Sequence, residues 1–496
     1  MAPVPLLRIA TLNDQSPNSD GEFVLYWMTA FRRVNWNFSL QRAVELAKQY
    51  GKPLLILEAL RSDYRWASDR IHRFVIDGMI DNQRSLAQSC VTYYPYIEPT
   101  PHAGDGLLTE LGKRAVAVVT DDFPCFFLPR MTRAVALRCL VAMEAIDSNG
   151  VYPMSHTDRV FSRAHYFRRH LQKNVVPFLE EFPEENPLAG KRLPKLDKLN
   201  TSIQKRWPAA KLDQWESGKA KLSDLPIDHA VTISEILPGG SAAATDRLAS
   251  FLDSKLEHYG DRNQPERDVA TGLSPYLHFG HISAHQIMDG VLKQNSWSPD
   301  LLAPKPNGSA NGWWGLPEHV EGFIDELLTW RELGYNMCHL VPEYDQYESL
   351  PEWAQKTLQE HEGDKRDYLY SLEEFEQSLT HDTLWNAAQR QLTTEGRMHN
   401  YLRMLWGKKI LEWTPNARTA LEVMVELNNK YALDGRNPNS YSGIFWVLGR
   451  YDRAWGPERP VFGKIRYMSS DNTARKVRVK KFIAQYAPHA RQGQLL

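Results

Sequence analysis

Cysteine is scarce: the 496 residues hold only Cys90, Cys125, Cys139 and Cys338, far apart and without a C-x-x-C pair. Thiols so placed build neither a disulfide framework nor a structural zinc site, and they suit a reducing compartment. Long apolar runs are also missing. No stretch approaches the ~18 consecutive apolar residues of a membrane span, and the first twenty residues show no basic segment leading into an apolar core, so no secretory signal is expected. A soluble protein of the cytoplasm follows as the expectation. Charge of one sign is not in excess, with 59 Lys+Arg against 60 Asp+Glu and a net charge of -1. Any contact with nucleic acid must therefore come from a local basic surface. Internal repeats and low-complexity tracts are absent from the pattern.

What is present is an ordinary globular composition, 42% hydrophobic and 24% charged, on a chain long enough for roughly two or three domains. Tryptophan is the exception. There are 15, and the C-terminal half holds most of them.

Residues 21–150 alternate short apolar runs with helical patterns. Phe23–Met28, Pro53–Leu57 and Ala115–Val119 read as buried strands. A helix through Leu40, Ala43, Val44 and Ala47 and another over Ile71–Leu86 lie between them. This order predicts an α/β domain with a parallel sheet covered on both faces. From about 180 to 240 prolines interrupt a Lys/Glu-rich stretch of little periodicity, which reads as a connector crossing the surface. Beyond it the pattern is helical. One stripe runs from a helix start near Thr245 through Leu248, Phe251, Leu252, Leu256 and Tyr259; a second holds Val320, Phe323, Ile324, Leu327 and Leu328; a third holds Met398, Leu402, Leu405, Trp406, Ile410 and Trp413. The expected organisation is an α/β domain over 1–180, a linker over 181–240 and an all-α domain over 241–496.

Several local motifs carry chemistry only with help. Gly104-Asp105-Gly106 lacks the third glycine of a dinucleotide turn and follows no clear strand, so it reads as a surface turn. His278, His281 and His285 include one i, i+4 pair, but no glutamate or cysteine accompanies them as a metal site would require. Thr271 and Ser274, just before Pro275, fit either a helix start that holds phosphate oxygens or a plain N-cap. Trp406 and Trp413, seven residues apart, fall on nearly one helix face about 10 Å apart; with Trp385 they read on pattern alone as core aromatics. Arg403 and Asp434 are candidates for a buried ion pair. The basic run from Lys464 to Lys481 fits phosphate contact or a solvated face equally.

Longer segments carry more. GLSPYLHFGHIS, FIDELLTWRELGYNMC, YLYSLEEFE, LWNAAQ, GRMHNYLRMLWGKKILEWT, ELNNKYALDGRNPN and ERPVFGKIRYM, in this order, resemble the class II cyclobutane pyrimidine dimer photolyases of the photolyase/cryptochrome superfamily. The resemblance runs from about 21 to 485 and is densest over 259–470. It implies a Rossmann-like antenna domain, a long linker and a helical domain that binds FAD. By resemblance, Tyr259 and the turn Thr271, Gly272, Leu273, Ser274 contact the FAD phosphates and ribityl chain, Arg403 pairs with Asp434 beside the flavin ring, and Asn428 faces its reactive edge. Trp406, Trp385 and Trp413 correspond to an electron relay, in that order outward from the flavin. Glu326, Trp330, Met404 and Trp446 would line the pocket for a dimer flipped out of UV-damaged DNA, with Glu326 bonding a base. The implied reaction is light-driven repair, in which excited reduced FAD lends one electron to the dimer and receives it back.

One departure lies after Trp446, where VLGRYDRAW is about one residue short and Tyr451 stands where histidine is common. A second chromophore, a deazaflavin or a folate, is possible in the N-terminal domain but is not identified by any motif. A monomer without an obligate protein partner is expected. A cryptochrome-like photoreceptor is the main alternative, although the short sequence after the last motif favours the enzyme. Repair of the (6-4) photoproduct calls for a pocket histidine that the carried-over residues lack, and a non-enzymatic binding module would be colourless.

Overall fold

The computed structural model describes residues 3–488. Its N-terminal part is built on a six-stranded sheet: β1 (Ile9–Thr11), β2 (Phe23–Met28), β3 (Leu54–Leu60), β4 (Thr92–Ile97), β5 (Ala115–Asp121) and β6 (Met143–Ile146). The spatial order is β1-β6-β5-β2-β3-β4, parallel throughout except for β1 against β6. The apolar runs of β2, β3 and β5 are central and buried on both faces, as unbroken Val/Leu/Ile sequences require. The expected α/β class is therefore observed, with the three strands read from the sequence at its centre.

The three other strands were not legible. β1 is a three-residue antiparallel edge, β6 has four residues, and β4 (TYYPYI) carries a proline that its edge position tolerates. The chain turn after β2 is held by Asp121, at the end of β5. One of its oxygens accepts the backbone N–H of Thr29, Ala30 and Phe31 at 2.7 to 2.9 Å and the other accepts the Tyr26 hydroxyl at 2.8 Å. That turn sends Arg32 and Arg33 into the junction with the helical part, where Arg33 donates to the Gly280 carbonyl at 3.1 Å.

The stretch 181–240 does more than cross the surface. Leu199, Ile203 and Trp207 are buried in one core with Phe23, Leu25 and Leu111 of the α/β part, and Leu212 and Leu225 pack with Val75 and Ile76. Its prolines break the helical period, so the scattered apolar anchors carried no readable pattern.

After residue 240 the described structure is helical. Two of the three predicted stripes are not plain α-helices. The first begins at Ser241, after Gly240 at φ 97°, and passes from Ser241–Ser250 through a π-helical turn, Phe251–Lys255, into the 3-10 segment Leu256–Asp261. The second runs Glu318–Ile324, then a π-helical Asp325–Trp330, then Arg331–Leu340. Such turns add a residue to the helical repeat and re-aim the side chains that follow.

The two parts interlock. Arg70, fully buried on the helix Asp69–Leu86, donates to the carbonyls of Thr232, Thr393 and Tyr431 at 2.7 to 2.9 Å. Gly280, at φ 73°, lies so close to Ala30 and Phe31 that a Cβ would stand 2.1 Å from the Ala30 oxygen. Glu332 accepts the N–H groups of Val151 and Tyr152 at 2.8 and 3.2 Å, and burial pushes its carboxyl up to about 8. No helix among the described residues is long and apolar enough to cross a membrane.

Candidate functional site

The helix Asn400–Glu412 is the axis of the site. It presents Arg403 and Met404 on one side and Trp406 on another, and it packs against the helices Thr383–Glu395, Ala417–Tyr431 and Pro438–Val447. Each neighbour contributes one predicted residue: Trp385, Asn428 and Trp446 respectively.

Arg403 Nη2 donates to both oxygens of Asp434, at 3.1 and 3.2 Å, so the expected pair exists. It is half-buried, each side chain keeping 16% of its surface. Asp434 lies in the loop after the helix Ala417–Tyr431. That loop is fixed by Arg436, whose N–H donates to Asn429 Oδ1 at 2.9 Å and whose guanidinium caps the carbonyls of Asn429 and Ala432. Burial lowers Arg436 to about 10. Asn428 is buried, and its amide nitrogen donates to Ser440 Oγ at 2.7 Å.

The three relay candidates come together. Trp385 lies between the other two, stacked on Trp406 with centroids 6.5 Å apart at 6° and edge-on to Trp413 at 6.1 Å. Trp385 Nε1 donates to the Trp406 carbonyl at 3.0 Å, and Trp406 Nε1 to Gln389 Oε1 at 2.8 Å. The spacing in sequence had suggested that Trp406 and Trp413 share one face; in space Trp385, from another helix, bridges them.

The π-helical turn Asp325–Trp330 begins next to Tyr259. Arg262 Nε stands 3.6 Å from Glu326 Oε1, and the guanidinium lies 5.1 Å over the Tyr259 ring. Burial raises the Glu326 carboxyl against the pull of Arg262, although about a third of the side chain, 33%, remains open. Trp330, Met404 and Trp446 are half-buried. The helix after Trp330 packs so closely on Pro438–Val447 that a Cβ on Gly334 would meet the Pro438 carbonyl at 2.8 Å. Lys408, fully buried, donates to the Val447 carbonyl at 2.5 Å and lies 5.1 Å from the Trp446 ring, with its ammonium lowered to about 7 by burial.

The turn Thr271–Ser274 closes on itself, Leu273 N–H donating to Thr271 Oγ1 at 3.1 Å. Gly272 takes φ 65°, and a Cβ there would meet Arg247 Nη1 at 2.9 Å. The turn thus offers open backbone next to a guanidinium, a combination that suits phosphate oxygens. Ser274 is exposed and begins a five-residue helix. The ion pair and the Asn428 amide, for their part, offer polar groups suited to a hydrogen-bonding ring.

A second feature shares Arg436 with these residues. A cavity of about 930 Å³ opens at the carboxyl ends of β2, β3 and β4, where open α/β sheets bind ligands. Trp27, Ala59, Leu60, Tyr96, Arg32 and Arg138 are among its lining, and His278, Phe279 and Arg436 close it from the helical side. Gly104 and Gly106 also line it. They form a turn at the surface, as read from the sequence, but it does follow a strand, β4, and Gly104 N–H donates to Glu98 Oε1 at 3.1 Å. A fold signal was hidden because β4 itself was not recognisable.

Other expectations resolve differently. His281 and His285 are buried, His278 is half-buried, and the three diverge: His285 meets Ser283 and Arg8, His281 accepts the Gly240 N–H at 2.9 Å, and His278 packs on Phe123 and Phe279. Among the described residues no group of three or more metal-ligating side chains is placed to hold an ion. Tyr451 takes φ 65° and is buried under the short loop, while Arg450 donates to the Tyr344 carbonyl at 2.8 Å. Sequence reasoning missed Arg262, Gln389, Lys408 and Arg436. Gln389, one helical turn after Trp385, had a usable signal; the others are placed by tertiary contacts alone.

No family model matches the chain. Over 478 residues it is 33% identical to the deoxyribodipyrimidine photo-lyase of Methanothermobacter thermautotrophicus, covering 96% of this chain and 97% of that one. The Arabidopsis thaliana protein of the same name is 34% identical over 473 residues (93% and 88%), and the Potorous tridactylus one 32% over 482 (96% and 82%). Among solved structures, a bacterial class III photolyase from Agrobacterium tumefaciens matches with a TM-score of 0.65 at 18% identity, covering 94% of this chain and 86% of that one, a likeness of fold. With this fold, and with such identity along nearly the whole length of proteins from an archaeon, a plant and a marsupial, the chain belongs to the deoxyribodipyrimidine photo-lyase family.

Proposed function

We propose that the protein is a light-driven DNA repair enzyme of the class II type, which binds FAD and splits cyclobutane pyrimidine dimers in UV-damaged DNA. The observation that carries this reading is the continuous run of rings Trp406–Trp385–Trp413, the first pair stacked and the second edge-on, beside the helix that bears Arg403. Rings in such contact carry electrons stepwise from a buried redox centre, and a plain core does not need them in a row. Bound FAD would supply light absorption and one-electron chemistry.

The chain's own residues do the rest. The Thr271–Ser274 turn and Arg247 hold phosphate, and Tyr259 covers them. The Arg403 guanidinium and the Asn428 amide fix the ring from its polar edge, with Asp434 holding Arg403 in place and balancing its charge. A flipped dimer is received by Trp330, Met404 and Trp446, whose apolar faces replace the stacking lost on leaving the duplex. Glu326, with its carboxyl raised by burial against the pull of Arg262, faces the lesion and hydrogen-bonds a base. Arg262 orients that carboxyl. The basic run Lys464, Arg466, Arg475, Lys476, Arg478 serves phosphates of the flanking duplex. The cavity at the strand ends is large enough for a second chromophore, a deazaflavin or a folate, and Arg32 and Arg138 give it a cationic lining.

The test is direct. The purified, flavin-containing protein is incubated with a thymine-dimer oligonucleotide under blue light and in darkness. Loss of dimers only in the light is expected. A flavin-containing protein that leaves the dimer intact would favour the photoreceptor reading instead, and a colourless one that reconstitution cannot colour would remove both.

A further inference from the structure

The inner relay rings are held by two hydrogen bonds that cross between helices. Trp406 Nε1 donates to Gln389 Oε1 at 2.8 Å, and Trp385 Nε1 donates to the Trp406 carbonyl at 3.0 Å. Gln389 and Trp385 share one helix, a turn apart, so the helix that supplies the second ring also supplies the acceptor for the first. All three side chains are cut off from solvent: Trp406 is 2% exposed, and Trp385 and Gln389 are 0%. The indole nitrogen only donates, so the glutamine oxygen must face it. Its amide nitrogen, in consequence, is buried without a partner. An apolar side chain would avoid that cost, and an unsatisfied buried amide calls for a reason other than packing.

The reason lies in what an amide oxygen does to an oxidised indole. Losing an electron makes the indole N–H strongly acidic. A carboxylate, an imidazole or water at hydrogen-bond distance would take the proton and leave a neutral radical, from which the positive charge could no longer migrate. An amide or peptide oxygen accepts the hydrogen bond but is too weak a base to take the proton.

We propose that Gln389 is a positioning residue of the electron relay: its amide oxygen orients the Trp406 indole through the Nε1–H without being base enough to take the proton, so that this ring passes an electron without passing a proton. The inference rests on the flavin reading above. One electron leaves Trp406 for light-excited oxidised flavin, and the N–H bond stays intact. One electron from Trp385 then refills Trp406, while the Trp385 proton stays against the Trp406 carbonyl. One electron from Trp413 refills Trp385, and the positive charge reaches the outermost ring with no proton released at either inner one.

The experiment is transient absorption on the flavin-containing protein. In the unaltered enzyme the Trp385-to-Trp406 step should run at the same rate in H2O and D2O, whereas slowing of about twofold or more in D2O would show a proton in flight and overturn the proposal. In Gln389→Glu, at pH values where the new carboxyl is ionised, the first ring should appear as the neutral indolyl radical. The yield of long-lived charge separation should fall with it and recover at acid pH. A cation spectrum with full yield at every pH would overturn the proposal. Gln389→Leu offers no base, so it should keep the cation spectrum while its Trp406 indole N–H, followed by nitrogen-15 NMR in the dark, moves from its hydrogen-bonded shift; a neutral radical here would also overturn it. Unaltered protein that takes up no flavin would remove the flavin reading and this inference together. Unaltered protein that photoreduces but shows the isotope effect would remove the role of Gln389 alone.

Discussion

His281 gives the sharpest test of how the two parts are joined. It sits at 1% exposure in the junction, stacked on Phe74 with centroids 5.0 Å apart at 19°, and its Nδ1 accepts the Gly240 N–H at 2.9 Å. Gly78 faces its other nitrogen, which a Cβ there would meet at 2.3 Å. Burial first, then Arg32 and Arg33, lower the imidazole from 6.5 to about 3. A histidine held neutral in the fold contributes stability that is complete above its unfolded value and is lost as pH falls through the window from 6.5 toward 3. At pH 5 the penalty is about 2 kcal/mol. His281→Asn keeps an acceptor near Gly240 and cannot titrate. The variant should be less stable at pH 7, because it leaves a void, but the gap between the two proteins should narrow by about 2 kcal/mol between pH 7 and pH 5. Urea unfolding followed by tryptophan fluorescence at both pH values measures that gap. A gap that stays constant to within about 0.5 kcal/mol would refute the buried neutral imidazole. His278 and His285, also lowered by burial, are present in both proteins and cancel.

Other predictions address the site. Trp385→Phe removes the ring that touches both Trp406 and Trp413, so light-driven reduction of bound flavin should stop while chemically reduced protein still repairs; retained photoreduction would break the relay assignment. Glu326→Ala should slow repair about tenfold or more by deleting a hydrogen bond to a charge-bearing base, with flavin content unchanged by absorbance. Arg403→Ala leaves Asp434 half-buried and unpaired, and should lower flavin retention on gel filtration by about tenfold or more. Ala59→Trp, on the wall of the 930 Å³ cavity, should abolish any second absorbance band after reconstitution with a deazaflavin while sparing the flavin spectrum.

How much was legible follows from where the information lay. β2, β3 and β5 announced themselves because a central parallel strand is apolar on both faces. The short strands β1 and β6 and the edge strand β4 did not, since three or four residues, or a run broken by Pro95, leave no period to read. The helical stripes were found, yet the π-helical turns within two of them were not, because one inserted residue barely disturbs a hydrophobic stripe. Those turns matter: one carries Glu326 and Trp330, the other leads to Tyr259. Among site residues, Arg403 with Asp434 and the three tryptophans could be named through long motifs. Gln389 could have been suspected from its place one turn after Trp385, whereas Arg262 acts through Glu326 and Tyr259 and Lys408 through a carbonyl of another helix, contacts that emerge only in three dimensions.

The placement of the two buried amides suggests one design rule for the site. Asn428, beside the ion pair, and Gln389, beside the first relay ring, both present neutral groups where a carboxylate or an imidazole would be the stronger hydrogen-bonding partner. Among the groups able to exchange protons, Glu326 lies on its π-helical turn and His281 and His285 are buried at the junction, while Asp434 is tied to Arg403 and His381 lies only against the outermost ring, 5.0 Å from Trp413. A site that moves single electrons through a dry interior loses its charge wherever a proton can follow. On the proposed function, neutral amides beside the inner relay ring and the flavin, with Glu326 on the lesion side, would separate the two kinds of transfer in space. On that argument, introducing a base at either amide should harm electron movement more than removing the amide altogether, an ordering that simple loss of packing would reverse.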